Sequence, residues 1–563
     1  MRAISLKPIH QYCRILVYFL LIIGLASLLF LPFGGWVLTL CIPLRFLAIP
    51  VLSIACIHAS SEVWRRHLLE MLPPRTLPCL SPQEQSALDI PGYAILIPTL
   101  LADRKAIDGF IKTLDTNFRA VNDRRARFVV LADGQDSQQQ ALSDEEQGLL
   151  RHLQSHIEGL NTHYGRGGVS PFVLMSRERR YAVSEGVWMG WERKMGKILA
   201  FFELVCTGES ELNIQSGQRP NTLHNIPYAI VLDEDNLLTP GAAQAMLATI
   251  AHPYNQPKLD IGRNRIQSGY GIIRPATDQR SVKLPSRQTI FDVFGEIRFP
   301  GKGIYNIPVA YELLESQYVE GRILSHDMWE SLVVRTGYTA LATVVEDMPS
   351  NHIAGYQRAH RWTRGDWQNF LLMLTLTLKG KRFPAFGWLV ILSDIRNSVF
   401  PLVFTVGLVL IPLYGSVGLL CLYIGSVFLY EIIRALRNYV KIYNSSDNKF
   451  LWLMKITTIL VLALFFEVMN SPHKMLSCAD AISRTIFNFV RNRNMLVWRS
   501  FSQTEASGST QGFNFLYMWL VAVLAALMLI LCVALQVFRP ALLALLVLWT
   551  ISPVILLSIR RKK

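Results

Sequence analysis

Paired cysteines are missing from this chain. Its 563 residues hold eight, Cys13, Cys41, Cys56, Cys79, Cys206, Cys421, Cys478 and Cys532, scattered with no C-x-x-C pair. That excludes a disulfide framework and a thiolate zinc site. Charge is scarce as well: 17% of residues are charged and 51% hydrophobic, which is too apolar for a chain wholly surrounded by water. Internal repeats and low-complexity tracts are lacking. No small-residue cleavage site follows the first apolar run, so the basic N-terminus reads as a retained anchor rather than a removed signal. Acidic residues are the minority sign, 41 against 56 Lys and Arg, for a formal net charge of +15. Much of the basic excess borders apolar runs, which favours anionic membrane lipid over nucleic acid as its partner.

Apolar runs are what the sequence has in quantity. Residues 15–31 and 36–57 read as two spans joined by a Pro32-Phe33-Gly34-Gly35 turn. The second carries Arg45, costly at mid-membrane unless it faces protein or the segment is tilted. Residues 398–413 and 416–433 form a hairpin around Tyr414-Gly415, and 513–538 and 541–559 another around Arg539-Pro540. Each run is near the ~20 residues that cross a bilayer. Residues 451–468 are apolar but contain Lys455 and precede a basic stretch in which Leu476, Ala479, Ile482, Ile486 and Val490 recur at helical spacing. That stretch predicts an amphipathic helix lying on the membrane. Six spans place every basic cluster on the cytoplasmic side. The expected organisation is therefore a membrane region over 1–60, a linker over 61–88, a soluble domain over 89–380, and a second membrane region over 381–563 with interfacial helices and about four spans.

The soluble block alternates β-rich runs (93–97, 127–132, 228–232) with helical signals such as 105–118. This predicts an α/β, Rossmann-like, mostly parallel sheet with its sites at the carboxyl ends of strands. Asp133 ends one such run, and Asp233 and Asp235 follow another. Two aspartates two apart suit a shared Mg²⁺ or Mn²⁺ gripping a diphosphate, although strand-terminal Asp also merely starts turns. Leu324-Ser325-His326-Asp327, with Glu330 one turn on, offers Asp327 as a general base or Ser325 and Asp327 as a helix cap. Arg358, Arg361, Trp362, Arg364 and Trp367 suit a leaving diphosphate and stacking on sugar, or an aromatic and basic belt beside a membrane.

An Asp, a D-x-D, an acidic base motif and Arg358-x-x-Arg361-Trp362 in that order, flanked by spans, resemble the processive inverting GT-A glycosyltransferases that include cellulose synthase. Longer strings narrow the resemblance to the family 84 glucosyltransferase core of cyclic β-1,2-glucan synthases. They are Trp188-Met-Gly-Trp-Glu-Arg-Lys-Met-Gly-Lys197, Gly301-Lys-Gly-Ile-Tyr305, Leu324-Ser-His-Asp327 and His360-Arg-Trp-Thr-Arg-Gly-Asp-Trp367. The resemblance implies UDP-glucose as donor, a divalent cation, inversion, a glucan acceptor and a β-1,2-linked product. It implies Asp133 by the uridine, Asp233 and Asp235 at the metal, and Asp327 as base. Arg358, Arg361, Arg364, Trp362 and Trp367 then fall at diphosphate and acceptor, with Lys194 and Lys197 as further diphosphate candidates. It implies a bacterial inner-membrane location with the catalytic domain cytoplasmic. Family members carry glycoside-processing domains after the last span, so a linear product or a separate processing or export partner is expected here. A glucan synthase of the periplasmic glucosyltransferase H type, a single-sugar membrane transferase and a non-catalytic truncated homologue are the alternatives.

Overall fold

The computed structural model describes residues 30–71, 75–87, 92–165, 169–217, 223–224, 226–279, 289–346, 352–443, 449–496 and 513–558. The expected first span, 15–31, lies almost wholly outside them. The described residues open with α1 (Phe30–Thr39) and α2 (Ile42–Met71). Pro32-Phe33-Gly34-Gly35, expected as a turn, is helical within α1. The chain breaks instead at residues 40–41. Arg45 donates from Nε to the Leu40 carbonyl at 2.8 Å and from Nη2 to the Leu38 carbonyl at 2.6 Å. The guanidinium thus satisfies carbonyls that the break leaves without helical partners, and the partner for Arg45 is backbone.

After α3 (Pro82–Ala87) the sheet domain begins. Its elements run β1 (Tyr93–Leu100), α4 (Arg104–Val121), β2 (Ala126–Asp133), α5 (Asp144–Tyr164), β3 (Phe172–Ser176), β4 (Arg180–Ala182), β5 (Val187–Met189), α6 (Arg193–Thr207), β6 (Asn213–Ser216) and β7 (Tyr228–Val231). There follow β8 (Leu237–Leu238), α7 (Ala242–Ile250), β9 (Lys258–Asp260), β10 (Arg265–Ser268), β11 (Ile272–Gln279), α8 (Thr289–Phe294), β12 (Gly303–Asn306), α9 (Ile307–Gln317), α10 (His326–Val333) and β13 (Thr336–Glu346). Nine strands make one sheet in the order β6-β3-β2-β1-β7-β12-β11-β13-β8. β3, β2, β1 and β7 are mutually parallel, whereas β12 runs antiparallel to β7 and β11. The α/β expectation holds, with an antiparallel strand inside the sheet that hydrophobic patterning does not reveal.

Alternation along the strands divides the core. Ile95, Ile97, Phe128 and Val130 point to one face, packed with Ile107, Phe110 and Leu114 of α4 and Leu153 and Ile157 of α5. Ala94, Leu96, Val129 and Leu131 point to the other, against Ile198, Phe201 and Phe202 of α6 and Leu313 of α9. A strand covered on both faces has no polar side, so its sequence is a continuous apolar run. Parallel strands in register, with Leu100 beside Asp133, bring the loops after β1, β2 and β7 to one edge of the sheet.

Beyond the sheet come α11 (His352–Leu378), α12 (Ala385–Tyr414), α13 (Val417–Val427), α14 (Leu429–Tyr443), α15 (Lys449–Arg491) and the last two helices, Phe513–Ala534 and Pro540–Ser558. Among the described residues five helices are long and apolar enough to cross a membrane, or six if α13 with the start of α14 counts as one span bent by 72°. The expected run 416–433 is thus broken at Phe428. Residues 451–468, left out of the expected count, are the first half of α15, whose Phe450–Arg491 stretch passes the same test of length and apolarity. The basic stretch that follows is not a separate helix lying on a surface. It continues α15, buries Met469, Ser471, His473, Ala481 and Thr485, and joins α11 through His360–Asp480 at 2.8 Å and Tyr356 Oη to Asn470 Oδ1 at 2.9 Å.

Candidate active site

One cavity of about 1110 Å³ opens along the carboxyl edge of the sheet and reaches the apolar helices. Asp133, Asp233, Asp235, Asp327, Arg361 and Trp362 all line it. Each is held for a local reason.

Asp233 and Asp235 sit in the turn after β7. Asn236 Oδ1 accepts from the Asp233 amide at 3.1 Å, and Thr99 at the end of β1 donates to Glu234 at 2.8 Å. Lys194 Nζ donates to Asp233 Oδ1 at 2.5 Å and to the Gly301 carbonyl at 2.9 Å. Lys302 Nζ lies 3.5 Å from Asp233 Oδ2 and 2.6 Å from Glu346. Burial acts to raise the Asp233 carboxyl, but Lys194 and Lys302 outweigh it and hold the group well below the usual range. Asp235 has the opposite fate: burial, then the neighbouring Asp233 charge, pushes it up to about 6. A carboxylate pair of which one member is this reluctant to ionise suits a divalent cation, whose charge relieves both. The residues fit the cation that the D-x-D spacing implies.

Asp133, expected beside the uridine, lines the cavity from within a buried charge cluster. It is buried and takes Arg177 Nε at 2.9 Å and Nη2 at 3.0 Å, with Lys197 Nζ at 3.4 Å. Burial raises its carboxyl, but Arg177 and Lys197 win and hold it below the ordinary range. Lys197 also donates to the Thr99 carbonyl at 2.6 Å, and burial lowers its ammonium despite Asp133. Gly190 passes so close to Asp133 that any Cβ there meets its carboxylate. At the start of α6, the cap residue Glu192 and the first residue Arg193 both adopt left-handed φ, +48° and +50°. Glu192 is tied there by Tyr318 at 2.7 Å and by the Gly321 amide. That sparsely populated backbone directly precedes Lys194.

Asp327 lies in the first turn of α10, where the helix dipole favours an anion. Ser325 occupies the cap position but its side chain makes no capping bond. Gly301, at φ +80°, lies against Asp327, and a Cβ there falls 2.7 Å from Oδ1. His326 Nδ1 is 3.2 Å from Asp327 and 3.5 Å from the buried Glu330. Burial lowers the His326 imidazole, but those two carboxylates prevail and raise it.

Of the Arg and Trp set on α11, Arg358 stacks over Trp362 with 4.5 Å to the ring centroid, and Trp362 is 49% exposed in the cavity. Burial, then Arg358, lowers the Arg361 guanidinium. The structure turns two expected residues elsewhere. Arg364 donates to the Asn494 carbonyl at 3.4 Å. Trp367 donates to Ser398 Oγ at 2.9 Å and packs on Phe370, tying α11 to α12. At helical spacing, positions 358, 361 and 362 share a face that 364 and 367 leave.

Sequence reading did not single out Arg177, Lys302 or Arg298. Arg298 bridges Asp366 at 3.0 Å and Asp394 at 2.6 Å on the cavity wall. None of the three stands in a spacing that marks it. Lys302 alone had a signal, lying inside Gly301-Lys-Gly-Ile-Tyr305.

No family model matches the chain. A crystal structure of an active-site mutant of LgtC aligns at 15% identity over 44% of this chain and 72% of that one, with a TM-score of 0.23, too low to carry an argument. Cyclic beta-(1,2)-glucan synthase NdvB of Rhizobium meliloti (strain 1021) is 27% identical over 466 residues, 77% of this chain. The matched stretch spans 16% of that protein's length. The chain is therefore similar, over most of its own length, to one part of a much longer cyclic β-(1,2)-glucan synthase.

Proposed function

We propose that the chain is a GT-A-type, inverting glucosyltransferase that moves glucose from UDP-glucose to a growing β-1,2-glucan and passes the product through its apolar helices. One observation carries this reading: the cavity that gathers Asp233, Asp235, Asp327 and Trp362 continues to Ser398 and Pro401 of α12 and to Ser477 of α15. Two carboxylates for a cation, an acid placed as base, and an aromatic wall leading into the helices are what a chain-elongating transferase needs.

Asp327 takes the proton from an acceptor hydroxyl as that oxygen bonds to the anomeric carbon, and the bond from that carbon to the diphosphate breaks with its electron pair leaving on UDP. Asp233 and Asp235 would hold a divalent cation, which would supply positive charge to the diphosphate. Lys194, Lys302 and Arg361 bring further positive charge to the same cavity. The exposed Trp362 face offers stacking to the acceptor sugar.

In topology, α12 begins against the sheet domain, with Phe386 and Ile391 in its core, and runs to Tyr414. The far end of α15 returns to that domain, where Arg193 Nε donates to the Leu496 carbonyl at 2.7 Å. One crossing between them closes the path, made either by the bent pair or by α15. The 43 residues of α15 extend about 65 Å, twice the ~30 Å hydrocarbon thickness, so we assign that crossing to α15 and the sheet domain to the cytoplasm.

The test is to incubate membranes with radiolabelled UDP-glucose and digest the product with a β-1,2-specific glucanase. A long, digestible product that disappears with EDTA or in Asp233→Ala supports the reading; a single transferred sugar, or full activity in EDTA, overturns it. For topology, Phe450→Cys and Tyr414→Cys in a cysteine-free background should label from outside, and Tyr254→Cys only from inside. Labelling of position 450 only from inside assigns the crossing to the bent pair.

A further inference from the structure

A cluster of metal-ligating side chains lies outside the cavity, between α4 and α5. Both helices cover the same face of the sheet. His152 and His156, four apart on α5, share one side of that helix. Opposite them stands Asp108 of α4. Both Nε2 atoms converge on the same Asp108 oxygen, Oδ1, at 2.8 Å from His152 and 3.2 Å from His156. One ligand atom from each of the three residues lies within 4.8 Å of the others, and the two rings meet edge to face with centroids 4.6 Å apart.

These separations suit a small cation. A tetrahedral Zn²⁺ bound at about 2.0–2.2 Å spaces neighbouring ligand atoms ~3.3–3.6 Å apart, close to what the side chains already adopt. The side chains are 51%, 27% and 39% exposed for Asp108, His152 and His156, so an ion reaches them without any opening of the fold. Two imidazoles and one carboxylate select a borderline transition metal rather than Mg²⁺, which takes oxygen.

We propose that Asp108, His152 and His156 form a second cation site, of the Zn²⁺ class, with its fourth position open to water. It is chemically distinct from the Asp233–Asp235 pair and does not depend on the transferase reading. An ion here staples α4 to α5. Ala106, Gly109 and Thr113 of α4 line the main cavity, so the staple stiffens one of its walls.

The experiment uses the full chain in detergent, with any affinity tag removed, and Co²⁺ as the probe. One equivalent should bind, give the visible absorption of a tetrahedral site, and be displaced by Zn²⁺. His152→Ala and His156→Ala should each lose that absorption and weaken binding by more than about tenfold, while dependence on Mg²⁺ for activity stays as in the parent. Zn²⁺ should also raise the melting temperature of the parent and not of the variants. No Co²⁺ bound by the parent, or the same spectrum and affinity in both His variants, overturns the proposal.

Discussion

The sheet domain and the apolar helices use the same residue types in opposite ways. Ile95, Val129 and Leu131 in the sheet have no exposure at all. Leu527 and Ile530 of the helix Phe513–Ala534 are 56% and 64% exposed, and Leu451 of α15 is 62% exposed. The inverse holds for charge. In the sheet domain Asp133 and Arg177 are buried and paired, whereas the helix Phe513–Ala534 carries no charge at all. Water drives apolar groups inward in the first region. In the second, lipid tails are as apolar as leucine and leave no such drive, so packing is left to small and polar contacts. Trp549 Nε1 donating to the Val468 carbonyl at 3.0 Å and His473 paired with Ser552 at 2.7 Å are contacts of that kind.

This contrast is open to breaking by substitution. The largest effect belongs to the site: Asp327→Asn should keep UDP-glucose binding and lose turnover by about 10²–10⁴-fold, read by initial rates beside nucleotide binding. Normal turnover in that variant moves the role of base to another carboxylate, with Glu346 on the cavity wall the next candidate.

Next comes a buried charge. Arg177→Met leaves the buried Asp133 with Lys197 alone and removes a partner of Glu211; it should cost about 3–5 kcal/mol, seen as a lower midpoint in thermal unfolding. A change under 1 kcal/mol means that the sheet domain tolerates buried charge as readily as an exposed surface does.

The helices should answer differently. Leu527→Lys places a charge on a lipid-facing surface near mid-span and should cost ~2.5–3.5 kcal/mol in insertion. Leu527→Ala there should change stability by less than about 0.5 kcal/mol. A large loss from the alanine variant means that Leu527 packs against protein.

The smallest effect is a pH dependence. Without cation, Asp235 takes up a proton near pH 6 in the folded chain and near 4 when unfolded. Folded protein therefore binds the extra proton between those values, and this group's contribution to stability falls as pH rises from about 4 to about 6. A divalent cation must displace that proton, so its affinity should drop roughly tenfold per pH unit below 6. Cation-induced rise in melting temperature, followed from pH 7.5 to 5, checks this; Asp235→Asn should flatten the profile.

The sequence was legible where one residue type means one thing. Continuous apolar runs, two of them ending in Asp, placed β1, β2 and β7 to within a few residues, because strands buried on both faces have no other pattern available. The D-x-D, Asp327 and the Arg358–Trp362 string stood out as candidates because the chemistry proposed for them calls for those types at short spacing, and they line one cavity. Lys449–Arg491 is one continuous helix where the sequence predicted an apolar run followed by a separate amphipathic helix. Lys455 and the basic second half argued against a span, yet the Phe450–Arg491 stretch is long and apolar enough for one, and its second half packs on α11.

By itself, then, the sequence determined that an α/β block lies between apolar helices and which acids end its strands, since local patterning reports the solvent that each segment faces. Tertiary structure alone decided what those acids touch. Arg177, 44 residues from Asp133, takes up that carboxylate; Lys194 and Lys302 reach Asp233 from α6 and from the approach to β12; Arg364 and Trp367 turn away from the cavity. Such pairings depend on where a side chain arrives after strands cross over, and no period or spacing along the chain encodes that.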